Sequence, residues 1–254
     1  MFEARFSSTT LLKRILDAIK DLVQDVNLLC TDDGIELQAM DAAHVALVNF
    51  TILADACTLY SCSQTITIGI NVTNLAKIIK CSETTDSVLL KHSPGSDTLG
   101  ITFESANGSR KAEYEMKLMD IDSEHMEIPD VTYECSVKLP SNEFTRIMRD
   151  MATFGDTVTL SVKEGELIIT MKGDMGMATV SVKEDKTAKP STEIECTKKT
   201  TMMFALNYLV AFTKAQNISE QVQIFLSENV PVYVSYDMGD KGSVGYYLAP
   251  KLDE

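Results

Sequence analysis

Apolar and polar residues alternate along much of this chain with the two-residue period of half-buried β-strands. The alternation is clearest at 45–52, 65–70, 87–91, 111–118, 157–163, 167–172, 177–183, 221–226 and 231–236. Most of these segments are short, rich in Val, Ile, Thr and Tyr, and bounded by Gly, Asp or Asn, so they read as strands. Helical periodicity is confined to four places. Residues 9–24 set Leu12, Ile15, Leu16, Ile19, Leu22 and Val23 on one stripe, and shorter helices are expected at 72–81, 141–153 and 204–216.

The order of these elements repeats. A strand at 2–6 followed by helical residues 11–23 matches a strand at 134–139 followed by 144–151. A strand at 66–70 followed by 75–79 matches 201–204 followed by 206–212. A repeat of more than a hundred strand-dominated residues predicts two similar β-rich domains, hence an α+β chain with few helices. Between the halves, 119–133 is acidic, carries Pro129 and has no clear period. It reads as a linker, giving domains at 1–118 and 134–254.

The chain has 254 residues, enough for a sizeable core, and its longest apolar runs fall short of the roughly 20 residues of a membrane span. No basic segment leading into an apolar one opens the sequence, so a secretory route is not expected. Cys30, Cys57, Cys62, Cys81, Cys135 and Cys196 are scattered without a C-x-x-C pair and read as buried thiols rather than a disulfide framework. The sequons at Asn71, Asn107 and Asn217 then read as chance matches.

A net charge of −14 argues against nucleic acid until the positions of the cations are considered. Lys13, Arg14, Lys20, Lys77, Lys80, Arg146, Arg149 and Lys214 all fall on the four expected helices, against Asp17, Asp21, Glu143 and Asp150 there. A solvated helix face explains one such helix as well as a DNA surface does. Four basic helices in an acidic chain favour segregation of charge, with one face kept for phosphates.

Particular stretches resemble the proliferating cell nuclear antigen family of eukaryotic sliding clamps. They are MFEAR at 1–5, KDL at 20–22, LQAMDAAHVALV at 37–48, LAKIIKC at 75–81, YEMKLMDID at 114–122, IPD at 128–130, FTKA at 212–215 and YYLAPK at 246–251. The resemblance spans the chain and implies two similar domains per subunit and three subunits closed head to tail into a ring. In that arrangement the helices line the hole and the sheets form the shell. It implies that Lys13, Lys20, Lys77, Lys80, Arg149 and Lys214 face DNA loosely and without base preference. It also implies a groove for partner peptides, matched here by Met40, His44, Val45, Leu47, Met126, Glu127, Ile128, Pro231, Ala249, Pro250 and Lys251. The recognition mode would be strand extension over an apolar pocket; for Met40 and Leu47, residues alone favour plain core packing. Subunit contacts are implied at Tyr114, Met116, Met177, Thr179 and Cys81, and a modifiable lysine at Lys163.

The expected function is therefore that of a polymerase processivity factor and docking platform in the nucleus. Its partners would be duplex DNA, polymerases, a clamp loader, nucleases and ligases, with no cofactor and no membrane. Catalysis finds no support: His44, His92 and His125 lack metal-ligand spacing, Asp120 and Asp122 stand in the linker without partners, and Gly239, Gly242 and Gly245 punctuate a hairpin. Thr153, Asn207 and Glu127 depart from the family pattern on the helices and beside the groove. They point to an alternative, a specialised second clamp or clamp-like scaffold with a repair or checkpoint role and weaker DNA engagement.

Overall fold

The computed structural model describes residues 1–122 and 131–251. The chain divides into two compact units. The first comprises Met1–Ala42, Val48–Met126 and Met238–Val244; the second comprises Ala43–Leu47, Glu127–Asp237 and Gly245–Glu254.

The first run of elements is β1 (Phe2–Phe6), α1 (Thr10–Ile19), β2 (Asp25–Cys30), β3 (Gly34–Met40), β4 (Ala46–Leu53), β5 (Leu59–Cys62), β6 (Ile66–Asn71), α2 (Val72–Lys80), β7 (Ser87–His92), β8 (Thr98–Glu104) and β9 (Lys111–Lys117). The second run repeats it: β10 (Cys135–Pro140), α3 (Ser141–Met151), β11 (Thr157–Lys163), β12 (Glu166–Gly173), β13 (Gly176–Lys183), β14 (Glu193–Cys196), β15 (Thr200–Ala205), α4 (Leu206–Phe212), β16 (Gln221–Leu226), β17 (Val232–Asp237) and β18 (Gly242–Leu248). Strand order repeats as well. β5-β1-β7-β8-β9 is matched by β14-β10-β16-β17-β18, and β4-β3-β2-β6 by β13-β12-β11-β15. Every pairing between them with a recorded register is antiparallel, as the clean inside–outside alternation requires.

The expected strands at 87–91, 111–118, 157–163 and 221–226 lie within a residue of β7, β9, β11 and β16. Strands β2, β3, β5, β8, β14 and β18 were not among the expected segments, although Leu99, Ile101 and Phe103 of β8 alternate inward as regularly as those that were. The expected first helix is shorter than its apolar stripe. After Ile19 the chain tightens, with Leu22 N donating to Ile19 O at 2.9 Å, so Val23 is buried from a turn. The fourth helix starts later than its period suggests because Phe204 pairs with Val158 in the β11–β15 ladder. It continues as a 3-10 turn over Thr213–Asn217.

Each unit has its own apolar interior. In the first, Leu12, Ile15, Leu16 and Ile19 of α1 and Leu75, Ala76 and Ile79 of α2 are buried, and the two helices pack together. In the second, Phe144, Ile147 and Met148 of α3 are buried, and Phe212 of α4 stacks on Tyr246 at 4.5 Å. Of the cysteines, Cys30 and Cys135 are buried, Cys57, Cys62 and Cys196 half-buried and Cys81 exposed. The expectation of buried thiols therefore holds for two of the six.

The segment that follows β9 is held. Met119 N donates to Gly69 O at 2.9 Å, and Asn27 Nδ2 donates to Ile121 O at 2.9 Å. Gly69 permits this approach, since a Cβ there would lie 2.0 Å from Met119 O.

Candidate functional site

The basic helices are positioned by their buried stripes. In α2, Asn71 caps the start by accepting from Asn74 N at 2.9 Å, and Lys77 and Lys80 occupy the last turn, where the helix dipole favours cations. Their side chains are exposed because Val72, Leu75, Ala76 and Ile79 face inward. In α1, Lys13, Arg14 and Lys20 lie opposite or beside the buried stripe, with Arg14 the most exposed. In α3, Arg146 and Arg149 are exposed, while Lys214 stands exposed on the 3-10 turn after α4.

These cations are not equivalent. Lys20 Nζ hydrogen-bonds Asp17, and Lys80 Nζ lies 3.8 Å from the same carboxylate. The hydrogen bond that Lys20 donates to Asp17 holds its ammonium above its ordinary range. Lys13 Nζ donates to Ser82 O at 2.6 Å. Arg146 lies 3.7 Å from Glu143 and Arg149 3.3 Å from Asp150. Among the described residues, Arg14 and Lys77 have no acidic partner within ion-pair distance. Asp17 is therefore the hub of the α1–α2 surface, a role that counting charges on each helix separately does not reveal.

The groove positions fall into groups. His44 is exposed with φ 56, a left-handed backbone unusual for a residue with a Cβ, and Val45 beside it is half-buried. Val45 O accepts from Ala249 N at 3.1 Å, and Met203 O accepts from Lys251 N at 2.8 Å. Lys251 Nζ donates to Thr157 Oγ1 at 2.6 Å. Pro231 is exposed, and its carbonyl accepts from Tyr133 Oη at 3.2 Å. Met40 is half-buried and Leu47 is buried, at 8% exposure. Met126, Glu127 and Ile128 lie outside the described residues.

A row of half-buried rings runs beside Pro231. Tyr133 and Phe225 are 5.7 Å apart, Phe225 and Tyr233 5.7 Å, and Tyr233 and Tyr247 4.4 Å. Burial raises the Tyr133 and Tyr247 phenols to about 12. Residue reasoning missed this row. Its signal lies in Phe225, Tyr233 and Tyr247 taking outward positions of three neighbouring strands, visible only once strand order is known.

The expected contact strands are both sheet edges. β9 and β13 each end a strand order, so one side of each backbone lacks a pairing strand within its sheet. Tyr114 packs edge-on against Phe103 at 5.6 Å, Met116 is buried, Thr179 and Cys81 are exposed, and Met177 is 70% exposed. Lys163, at the end of β11, pairs with Glu166 at 2.7 Å. No cluster of three or more potential metal ligands occurs among the described residues, and no helix there is long and apolar enough to cross a membrane.

Residues 1–126 match the family model "Proliferating cell nuclear antigen, N-terminal domain", and residues 127–251 match "Proliferating cell nuclear antigen, C-terminal domain". A curated relative named Proliferating cell nuclear antigen, from Chaetomium thermophilum, is 40% identical over 257 residues, covering 100% of this chain and 99% of its own. The chain belongs to the proliferating cell nuclear antigen family. Its fold is the two-domain DNA clamp fold, and its role is that of a sliding clamp and replication processivity factor. Members of this family are non-catalytic clamp scaffolds.

Proposed function

We propose that three copies of this chain close into a ring around duplex DNA in the nucleus, hold polymerases to the template and dock replication and repair proteins. The observation that carries this reading is the repetition of basic, outward-facing helices in both units of a chain whose net charge is −14. Lys13, Arg14, Lys20, Lys77, Lys80, Arg146, Arg149 and Lys214 would meet phosphates. Contacts from long side chains to phosphate oxygens are sequence-independent and numerous, which lets the ring move along the duplex.

Subunits would join through the free edges of β9 and β13, each supplying the pairing partner the other lacks. Tyr114, Met116, Met177, Thr179 and Cys81 would line that contact. The chain itself catalyses nothing and uses no cofactor in this reading. Polymerases, a clamp loader, nucleases and ligases would bind through short peptides at Met40, His44, Val45, Leu47, Pro231, Ala249, Pro250 and Lys251. Met126, Glu127 and Ile128 would complete the groove from a linker assigned to 119–133. The amides of Ala249 and Lys251 are already paired and Pro250 has none, so a partner strand would meet carbonyl acceptors there. Lys163 would be the site of covalent modification.

The alternative, a second clamp with weaker DNA engagement, draws support from Asp17. It offsets Lys20 and Lys80, while Thr153, in the turn after α3, and Asn207, on α4, hold neutral side chains in the second unit. Sedimentation of the purified protein, followed by loading onto nicked circular and linear DNA, separates the readings. A homotrimer retained on circular DNA and lost from linear ends is expected. A monomer at micromolar concentration overturns the ring, and a trimer that leaves both DNAs equally favours the alternative.

A further inference from the structure

We propose that Cys135 and Cys196 form a redox modification site, a cross-strand dithiol that closes reversibly to a disulfide and staples edge strand β14 to β10. The two residues are direct partners in the β10–β14 register, and their Sγ atoms stand 3.0 Å apart. Thr197 N donates to Glu134 O at 2.9 Å, placing the cysteine pair at a non-hydrogen-bonded position of the antiparallel ladder. Cα atoms at such positions are about 4.5 Å apart, within the roughly 4.4–6.8 Å that a disulfide spans. Closure thus requires the sulfurs to approach by about 1 Å, without a shift of backbone.

The surroundings distinguish this pair from the other cysteines. Both thiols can donate to the same carbonyl, Lys198 O, at 3.2 Å from Cys135 and 3.1 Å from Cys196. The shared acceptor holds both sulfurs on one side of the ladder. Cys62, by contrast, directs its thiol to the carbonyls of Cys30 and Gln64. Cys135 is 1% exposed, and Cys196 is half-buried on a strand only four residues long. Cys196 is therefore the entry thiol and Cys135 the resolving thiol.

With a low-molecular-weight disulfide such as oxidised glutathione as oxidant, the steps balance. The Cys196 thiolate attacks one glutathione sulfur, the glutathione S–S bond breaks, and the departing thiolate takes up the proton lost by Cys196. The Cys135 thiolate then attacks Cys196 Sγ and displaces the second glutathione, which takes the Cys135 proton. Two protein thiols are oxidised by two electrons, and one small disulfide is reduced to two thiols. Burial raises the Cys196 thiol to about 11, which keeps its thiolate scarce at neutral pH and makes closure slow.

The test uses the full chain, equilibrated across ratios of oxidised to reduced glutathione, quenched in acid and alkylated under denaturing conditions. Intact mass is expected to show four alkylated cysteines of the six (6 − 2 = 4), and digestion a peptide joining Cys135 to Cys196. The thermal midpoint of the oxidised form should rise by about 5 °C or more, because the link closes a long loop of the unfolded chain. Dithiothreitol and Cys196→Ser should each abolish both signals. Cys196→Ala, at a half-buried edge position, serves as a second variant should the hydroxyl disturb folding. A stable glutathione adduct on Cys196, a bridge to any other cysteine, a bridge between chains, or six alkylated thiols at every ratio would overturn the proposal.

Discussion

Two residues show how burial and charge act at the smallest scale. Tyr236 is fully buried, and its hydroxyl has no hydrogen-bond partner among the described residues. Its ring contributes by packing edge-on against Tyr246 at 6.3 Å, while the lone hydroxyl costs desolvation. Tyr236→Phe is therefore expected to raise stability by about 1 kcal/mol, read from the urea midpoint at unchanged slope. A loss of stability would mean that the hydroxyl is satisfied in solution. Asp17 poses the electrostatic counterpart. Asp17→Asn releases Lys20 and Lys80 from their shared carboxylate, so duplex affinity at low salt should rise. The slope of log affinity against log salt should steepen by about 0.9 for each lysine freed to meet a phosphate. Lys77→Glu, which alters a cation with no acidic partner among the described residues, should act in the opposite direction. Filter binding at several salt concentrations checks both variants. Equal slopes in all three proteins would remove these helices from the DNA surface.

At the scale of elements, helices and edges carry separate duties. The helices are short, and the buried stripes that anchor them leave the cations outward. Edge strands β9 and β13 instead present backbone. A long open edge invites pairing with another chain, and the proposed ring satisfies both edges at once. Tyr114 projects from β9 onto Phe103, so truncating it leaves the chain folded but removes an aromatic from the contact. Tyr114→Ala is expected to convert trimer to monomer at micromolar concentration, with a loss of roughly 3–5 kcal/mol if the ring is packed as in a core. Sedimentation equilibrium reads this directly. A variant that remains trimeric would place the contact elsewhere.

For the whole molecule, buried thiols and phenols shape the alkaline behaviour. Burial raises Cys30 and Cys57 from 9.0 to about 12, and Tyr133 and Tyr247 from 10.0 to about 12. Between these ordinary values and 12 the folded chain holds more protons than the unfolded one. The stability these groups contribute is complete below about pH 9 and is lost as pH rises toward 12. Urea midpoints should therefore fall progressively between pH 9 and 11, in step with tyrosinate absorbance on unfolding. A midpoint independent of pH across that window contradicts the burial of these groups.

Much of this organisation was legible along the chain. Alternation located β7, β9, β11 and β16 to within a residue, because successive side chains in each alternate between a more and a less exposed face. The internal repeat was legible too, since equivalent strands and helices carry equivalent periods. Strands such as β14, four residues long, have too few positions for a period to show. Helix ends were less legible, since an apolar stripe continues through a turn, as at Leu22 and Val23, without saying which hydrogen bonds close it. The basic helices were readable because Lys and Arg recur where apolar residues leave a face open. Pairings between distant residues belong to tertiary structure alone. Asp17 bridging α1 and α2, the aromatic row from Tyr133 to Tyr247, and the Cys135–Cys196 contact join residues from 61 to 114 positions apart or from different elements. Period and composition report what each residue meets on average, water or core. Which atom meets which is decided by strand order and register, and those arise only when the whole chain is folded.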